Sequence, residues 1–160
     1  MQIVRNARIS GTGSYIPDKI ITNETLEKTV PTNSKWVFDN VGIKERHIAD
    51  KNQATSDLAV IAGKRAIEDA GLTSDDIDLI IVATATPDRK APSTAAFVQH
   101  KLNAKNAVAF DLNAVCSGFL FGMSTASAYI QSGKYKKVLL IGADKMSSII
   151  DYTDRATCII

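Results

Sequence analysis

The fold class is decided by residues 77–84, which read IDLIIVAT. The apolar side chains show little of the alternation that a strand with one solvated face requires. Such a run is typical of a strand covered on both faces. A second run of this kind, KVLLIG, occupies residues 137–142. Both stretches therefore predict fully buried strands.

Helical segments alternate with these strands. Residues 55–70 carry apolar side chains at helical spacing, and Gly71 follows where a helix would end. Further helices are predicted at residues 93–102 and 116–131, and a short strand at 107–112. The alternation predicts an α/β layered fold with a largely parallel sheet.

The two ends of the chain carry weaker signals. Residues 7–15 predict a strand broken by small residues, and residues 22–25 are suited to cap a short helix. Residues 157–160 resemble the start of another apolar strand, in which the sequence stops. We therefore expect these 160 residues to be part of a longer protein, with a naturally short protein as the alternative.

Composition argues against several classes of function. The formal net charge is +2 and the 19 basic residues are scattered, which leaves room for a local phosphate pocket but predicts no nucleic-acid groove. The two cysteines and two histidines form no close ligand pair, so we expect no structural zinc site. They also make no disulfide framework, and no stretch is typical of a signal peptide or membrane helix, so we expect a cytoplasmic protein.

The strongest chemical signal is Cys116, which lies in the stretch FDLNAVCSGF at residues 110–119. A strand ends there, a tight turn follows, and a helix begins at or next to the cysteine. The positive end of the helix dipole and nearby backbone N–H groups favour a thiolate and suit the oxyanion of a thioester under attack. From this pattern alone a buried, unreactive cysteine stays an open alternative.

Five stretches together resemble the β-ketoacyl-ACP synthase III family of condensing enzymes. They are GTGSYIP at residues 11–17, GIKERH at 42–47, LIIVAT at 79–84, the Cys116 stretch, and DRAT at 154–157. The resemblance implies a thiolase-like fold: a layered, mixed five-stranded sheet with helices, the first of two similar halves. Residues 1–160 would be the N-terminal half, and the protein a homodimer paired along residues 107–112.

The resemblance also implies a reaction in two half-reactions. Cys116 would accept an acyl group from acyl-CoA, and condensation with malonyl-ACP would follow with loss of CO2, initiating fatty-acid synthesis. Acyl-CoA is a substrate here, and no separate cofactor is implied. The family's catalytic histidine and asparagine lie in the other half, and neither His47 nor His100 matches them. We expect His47 to be structural and His100 to be solvated.

By the same resemblance, three residues would hold CoA. Trp36 would stack on the adenine, Arg155 would flank the base or reach a phosphate, and Thr32 lies beside this site. The alternatives are a packing aromatic for Trp36 and a solvated or ion-paired arginine for Arg155. Asn40 replaces an arginine that is often found at this position, which weakens or reshapes the expected CoA grip.

A second departure from the family is Ala91, which stands before Pro92 where relatives with small acyl pockets often carry a large aromatic residue. This predicts a roomier pocket that accepts primers longer than acetyl, unless neighbouring side chains fill the space. By resemblance, the loop around Ala91 would cross a dimer interface and shape the partner's pocket.

Two rival functions remain open. One is a polyketide-starter synthase or another acyltransferase of the same family, which would share Cys116. The other is a non-catalytic partner subunit that keeps the fold in order to dimerise. We expect Asp111 and Asp144, near strand ends, and Cys158 to be structural.

Overall fold

The computed structural model describes residues 5–159, whose contacts divide them into two compact units. The sheet unit comprises residues 5–15 and 53–144, and the ribbon unit comprises residues 16–52 and 145–159. In chain order the strands and α-helices are β1 (Ile20–Thr22), α1 (Asn23–Leu26), α2 (Ser34–Val41), β2 (Glu45–His47), α3 (Thr55–Asp69), β3 (Leu79–Ala83), α4 (Thr94–Leu102), β4 (Val108–Leu112), α5 (Gly118–Gln131) and β5 (Val138–Gly142).

The sheet unit is built on three parallel strands in the order β4-β3-β5. The central strand β3 is buried along its whole length, which explains the unbroken apolar run from which it was predicted. Leu79 pairs with Val108 on one side and with Val138 on the other, so all three strands start at the same level. The predicted parallel sheet is therefore confirmed.

Helices cover both faces of this sheet. Side chains alternate along β3 and β5, so one face presents Ile80 and Ile141 to a core that also contains residues of α3 and α4. On the other face, α5 packs closely enough that a Cβ atom on Gly118 would lie 3.3 Å from the Cβ of Ala83. The predicted layered α/β arrangement is confirmed.

The prediction of a strand at residues 7–15 is wrong, because none of these residues, all of them described, lies in a strand. This segment lies against α3 instead, because its glycines permit a very close approach. A Cβ atom on Gly11 or Gly13 would come within 2.5 Å of backbone atoms of α3. The Thr12 N–H also donates a hydrogen bond to Asp69 Oδ2 at 2.8 Å.

The five described strands are divided between two sheets and do not form one mixed sheet. In the ribbon unit, β1 and β2 form an antiparallel pair in which Ile20 faces His47. The strand predicted at residues 157–160 is a turn as far as Ile159, and Ile160 lies outside the described residues. The N–H groups of Thr157 and Cys158 both bond to the Asp154 carbonyl, which closes a turn and leaves no strand geometry.

Two short helices complete the ribbon unit. The Thr22 hydroxyl accepts a hydrogen bond from the Thr25 N–H and caps α1, as predicted. The sequence did not predict α2, which begins after Asn33 and ends at Gly42 with a positive φ of 74°. None of the helices within residues 5–159 is both long and apolar enough to cross a membrane.

Candidate active site

Cys116 lies in the turn that connects β4 to α5, and its side chain is exposed. The preceding residue, Val115, has a φ of 48°. A positive φ is rare for any residue with a Cβ and is a marked outlier for a β-branched one. Such backbone strain clusters at functional sites, where the surrounding structure maintains it. The backbone geometry therefore marks the position next to the cysteine independently of its chemistry.

Contacts on both sides hold this strained turn in place. Before it, the Asn113 side chain accepts a hydrogen bond from the Val115 N–H at 3.2 Å. After it, α5 presses on the sheet, and a Cβ atom on Gly142 would lie 3.1 Å from the Phe119 ring. The cysteine is thereby fixed at the carboxyl end of a parallel sheet, where α/β proteins commonly place their functional groups.

The start of α5 supplies the electrostatics of the site. The helix has 14 residues and no acidic residue in its first turn, so no carboxylate of that turn neutralises the positive end of its dipole. The N–H groups of the first turn suit the oxyanion of a thioester under attack. The arrangement can therefore support nucleophilic attack on a thioester.

Asp111 and Asp144 have structural roles, as predicted. The Asp111 carboxylate accepts hydrogen bonds from the backbone N–H groups of Thr94 and Ala95, both at 2.7 Å, and so binds the start of α4. Asp144 accepts one from the Ala85 N–H at 2.8 Å. Both carboxylates therefore order the backbone that follows β3.

Ala91 lies at the exposed tip of this segment, between two anchored ends. On the near side, Asp88 accepts hydrogen bonds from the Ser56 N–H at 2.8 Å and the Ser56 hydroxyl at 2.6 Å. On the far side, Ser93 caps α4, at the start of the helix that was predicted for residues 93–102. The tip is thus presented by a well-anchored loop.

In the ribbon unit, the predicted CoA contacts Trp36 and Arg155 lie together. The Arg155 guanidinium carbon is 5.4 Å from the centroid of the Trp36 ring, which is cation–π distance. Trp36 is 38% exposed, so a planar ligand can reach it. The Thr32 hydroxyl is buried and has no hydrogen-bond partner among the described residues.

The remaining residues that the sequence singled out have plain local partners. Asn40 Nδ2 donates to the carbonyl of Trp36 at 2.8 Å, so its amide is used within α2. His47 Nδ1 donates to the Pro17 carbonyl at 2.6 Å, which matches the expected structural role. His100 is exposed on α4, and Cys158 is fully buried, both as expected.

Arg46 is the residue that sequence reasoning did not single out, although it lies inside the quoted GIKERH stretch. Its side chain is only 6% exposed and donates two hydrogen bonds, to Asn23 and to the Ile159 carbonyl. Its place within one of the five family stretches was the available signal. Within residues 5–159, no three His, Cys, Asp or Glu side chains are grouped so as to hold a metal ion.

Comparison with known proteins identifies the family. A family profile described as 3-oxoacyl-(acyl-carrier-protein) synthase III matches residues 110–160, a range that contains Cys116 and Arg155. The β-ketoacyl-(acyl-carrier-protein) synthase III of Koribacter versatilis is 51% identical over the whole chain, which covers 48% of that protein. The corresponding protein of Caldanaerobacter subterraneus is 54% identical over 96% of this chain and 46% of its own length.

Solved structures show the same fold. The 3-oxoacyl-(acyl-carrier-protein) synthase III of Aquifex aeolicus is 44% identical and superposes with a TM-score of 0.91, covering 99% of this chain and 50% of its own. The priming β-ketosynthase of the R1128 polyketide pathway is 32% identical with a TM-score of 0.95, covering 100% and 48%. The predicted thiolase-like fold is thereby confirmed.

The chain spans about half the length of the curated relatives that it matches. Within that half, the identity extends over nearly the whole of the 160 residues, as the five quoted stretches predicted. The chain therefore belongs to the β-ketoacyl-(acyl-carrier-protein) synthase III family and corresponds to the N-terminal half of its members.

Proposed function

We propose that this chain supplies the acyl-accepting part of a β-ketoacyl-ACP synthase III, with Cys116 as the nucleophile. The observation that carries the proposal is the exposed thiol of Cys116 between the strained Val115 and the start of α5. Backbone strain at Val115, directly before an exposed cysteine at the start of a helix, is explained better by a reactive cysteine than by a purely structural one.

The chemistry proceeds through two covalent changes. The Cys116 sulfur attacks the thioester carbonyl of acyl-CoA, a new carbon–sulfur bond forms, and the CoA thiolate leaves. Malonyl-ACP then loses CO2, and the resulting carbanion attacks the acyl carbonyl. The cysteine thiolate leaves, and β-ketoacyl-ACP is released. N–H groups at the start of α5 stabilise the oxyanion at each attack.

The ribbon unit contributes the nucleotide-binding surface. The adenine stacks on the exposed face of Trp36, and Arg155 flanks the base or reaches a phosphate. The Thr32 hydroxyl, which has no hydrogen-bond partner among the described residues, would offer a hydrogen bond beside them. Acyl-CoA is thus a substrate held by three side chains, and the reaction draws on no further cofactor.

A second half and a second copy complete the enzyme. The helix α5 exposes large apolar side chains, among them Leu120 at 67% and Phe121 at 59%, which supports a partner layer on this side. The strand β4 lies at one edge of the described sheet with Val108 54% exposed, which supports homodimer pairing there. The whole protein would carry the decarboxylating histidine and asparagine, and would act in the cytoplasm.

A polyketide-starter synthase is the second candidate, favoured by the likeness to the R1128 priming ketosynthase. The two functions differ in the primer and in the carrier protein. An experiment that separates the two functions gives the acylated enzyme malonyl groups bound either to a fatty-acid carrier or to a polyketide carrier. Only the malonyl group on the cognate carrier should be extended efficiently. A non-catalytic partner subunit would form no acyl-enzyme from acyl-CoA.

Intact-mass spectrometry with a panel of acyl-CoAs tests the central step. The unchanged protein and a Cys158→Ser variant should both gain the mass of one acyl group, and Cys116→Ser should gain none. Cys158 is the matched control because it is the other cysteine and is fully buried. An adduct that persists in Cys116→Ser, or its absence from the folded unchanged protein, would reject the assignment.

A further inference from the structure

Arg46 is a buried cation in the ribbon unit. Its side chain is 6% exposed, and no carboxylate among the described residues pairs with it. Burial lowers the pKa of Arg46, while the nearby Cys158 and Tyr152 act in the opposite direction. A buried charge is costly unless it is well hydrogen-bonded. We therefore ask which parts of the chain the hydrogen bonds of Arg46 hold in place, since a neutral core residue could not make them.

Both ends of the Arg46 guanidinium are used. Nη1 donates to Asn23 Oδ1 at 2.6 Å, and Nη2 donates to the Ile159 carbonyl at 2.9 Å. Asn23 is itself buried and donates from Nδ2 to the Ile43 carbonyl at 2.8 Å. One planar group thus joins the first residue of α1 to the end of the turn at residues 151–159.

That turn carries Arg155 near its tip. The Thr157 hydroxyl donates to the Asp151 carbonyl at 2.8 Å, and Cys158 packs with Leu26 and other apolar residues of the ribbon unit. The Arg155 guanidinium donates no hydrogen bond to any described residue and lies over the Trp36 ring. Its position therefore depends on the backbone of the turn, which Arg46 anchors at Ile159.

The helix that carries Trp36 is tied to the other end of the same junction. The Ser34 hydroxyl at the start of α2 donates to Glu24 of α1 at 2.8 Å, and the Ser34 N–H donates to Glu27 just after α1. The helix α1 therefore has two sets of contacts. It holds α2, which carries Trp36, and through Asn23 it binds Arg46.

We infer that Arg46 is a positioning residue for the Trp36–Arg155 pair, acting through α1 on one side and the turn at residues 151–159 on the other. The inference deepens the proposed nucleotide-binding surface and rests on it for its role in catalysis. Arginine suits the task because its rigid planar fork offers two donors at a fixed separation. Lysine would keep the charge but not that geometry, so Arg46→Lys is the decisive substitution.

Trp36 provides a direct readout, because it is the only tryptophan of the 160 residues. The full chain would be labelled with fluorotryptophan and read by fluorine NMR, with Trp36→Phe identifying the signal. Arg155→Gln defines the signal of an unstacked ring. Arg46→Lys should move the Trp36 signal towards that reference. The double variant that carries Arg46→Lys and Arg155→Gln should show the same signal as Arg155→Gln alone. In the enzyme assay, Arg46→Lys should raise the KM for acyl-CoA about tenfold, as expected if the displaced Arg155 loses one cation–π contact with the bound adenine, with little change in kcat.

Two controls separate positioning from general loosening. Val98→Ala lowers stability in the sheet unit, where Val98 is fully buried, and should leave the Trp36 signal unmoved. Asn23→Ser removes one arm of the network while keeping Arg46, and it replaces Arg46→Lys if that variant does not fold. An unmoved Trp36 signal in the folded variant, or shifts that add in the double variant, would overturn the inference. If the signal moves but neither Arg46→Lys nor Arg155→Gln changes the KM, positioning stands and the proposed nucleotide site fails.

Discussion

Val115 holds a φ of 48° directly before Cys116, whose thiol is exposed. For a residue with a Cβ this conformation costs about 1–2 kcal/mol, which glycine would not incur. Because the Val115 side chain is 67% exposed, its removal loses little packing. We therefore predict that Val115→Gly raises the free energy of unfolding by about 1 kcal/mol. The same change should slow Cys116 acylation about tenfold, because the freed turn holds the thiol less well.

Ser117→Gly is the matched control for this prediction. Ser117 has a φ of −90°, a conformation in which glycine has no advantage, so stability should fall by roughly 0.5 kcal/mol. Denaturant unfolding and single-turnover acylation measure the two effects. If both glycine variants were destabilised alike, the strain at Val115 would not exist.

The parts of the site that could be predicted from the sequence are those whose signals lie close together along the chain. Cys116 was identified because a strand end, a turn and a helix start are all local, and because the family stretches surround it. The positive φ of Val115 was not predicted, since nothing in a valine indicates it and neighbouring contacts impose it. Arg46 was missed for a similar reason: its partners at Asn23 and Ile159 are distant in sequence.

The same reasoning explains the outcome for the fold. The strands β3 and β5 were predicted because burial on both faces leaves a continuous apolar run. The segment at residues 7–15 was misassigned because its small residues serve contact with α3, which is far away in sequence. The helix α2 was missed because its length of 8 residues is too short to show clear periodicity, although Asn33 and Gly42 were available as end signals.

Gly13 tests the close contact that replaces the expected strand. A Cβ atom here would lie 2.3 Å from the Ala62 carbonyl oxygen and 2.5 Å from the Ala66 nitrogen, both backbone atoms that cannot move aside. We predict that Gly13→Ala lowers the free energy of unfolding by about 3 kcal/mol, the upper end of the usual cost of overpacking. Urea unfolding would measure it. Ser10→Ala, at an exposed position nearby, should change stability by less than about 0.5 kcal/mol.

A substitution at Asn40 tests the affinity of the proposed site for the nucleotide of acyl-CoA. The Asn40 amide donates a hydrogen bond to the Trp36 carbonyl. Because an amide is neutral, Asn40 offers a ligand phosphate no positive charge. We predict that Asn40→Arg lowers the KM for acyl-CoA about tenfold through a charge-assisted hydrogen bond, and that the gain shrinks with added salt. Asn40→Gln should leave the KM unchanged. An equal gain with acyl-pantetheine, which lacks the nucleotide, would contradict a phosphate contact.

Ala91 tests the acyl pocket. If the small side chain leaves room in the pocket, Ala91→Phe should fill it and lower kcat/KM for longer primers relative to acetyl-CoA by about tenfold. Lys90→Phe places the same ring one residue earlier and should alter the preference less. Competition between two acyl-CoAs in one mixture measures the ratio directly. An unchanged ratio in Ala91→Phe would mean that neighbouring side chains, and not residue 91, set the chain length.

Asp76 tests the electrostatics at the edge of the sheet unit. The Lys137 ammonium donates to Asp76 Oδ1 at 2.8 Å, and with the N–H and hydroxyl of Thr73 it holds the pKa of Asp76 well below its usual range. A lowered pKa in the folded state means that the carboxylate stabilises the fold above its unfolded pKa of about 4. That contribution is lost as the pH falls through the lower folded value.

The stability difference between the unchanged protein and Asp76→Asn should accordingly be positive and constant at neutral pH, and should narrow below about pH 4. Because both side chains are partly exposed, the Lys137 part of the difference should also shrink in high salt, while the part from Thr73 should persist. Lys137→Met separates the two parts, since it leaves the Thr73 bonds intact. Unfolding curves across the pH range decide the matter, and a difference that grew on acidification would require Asp76 to be protonated in the folded protein.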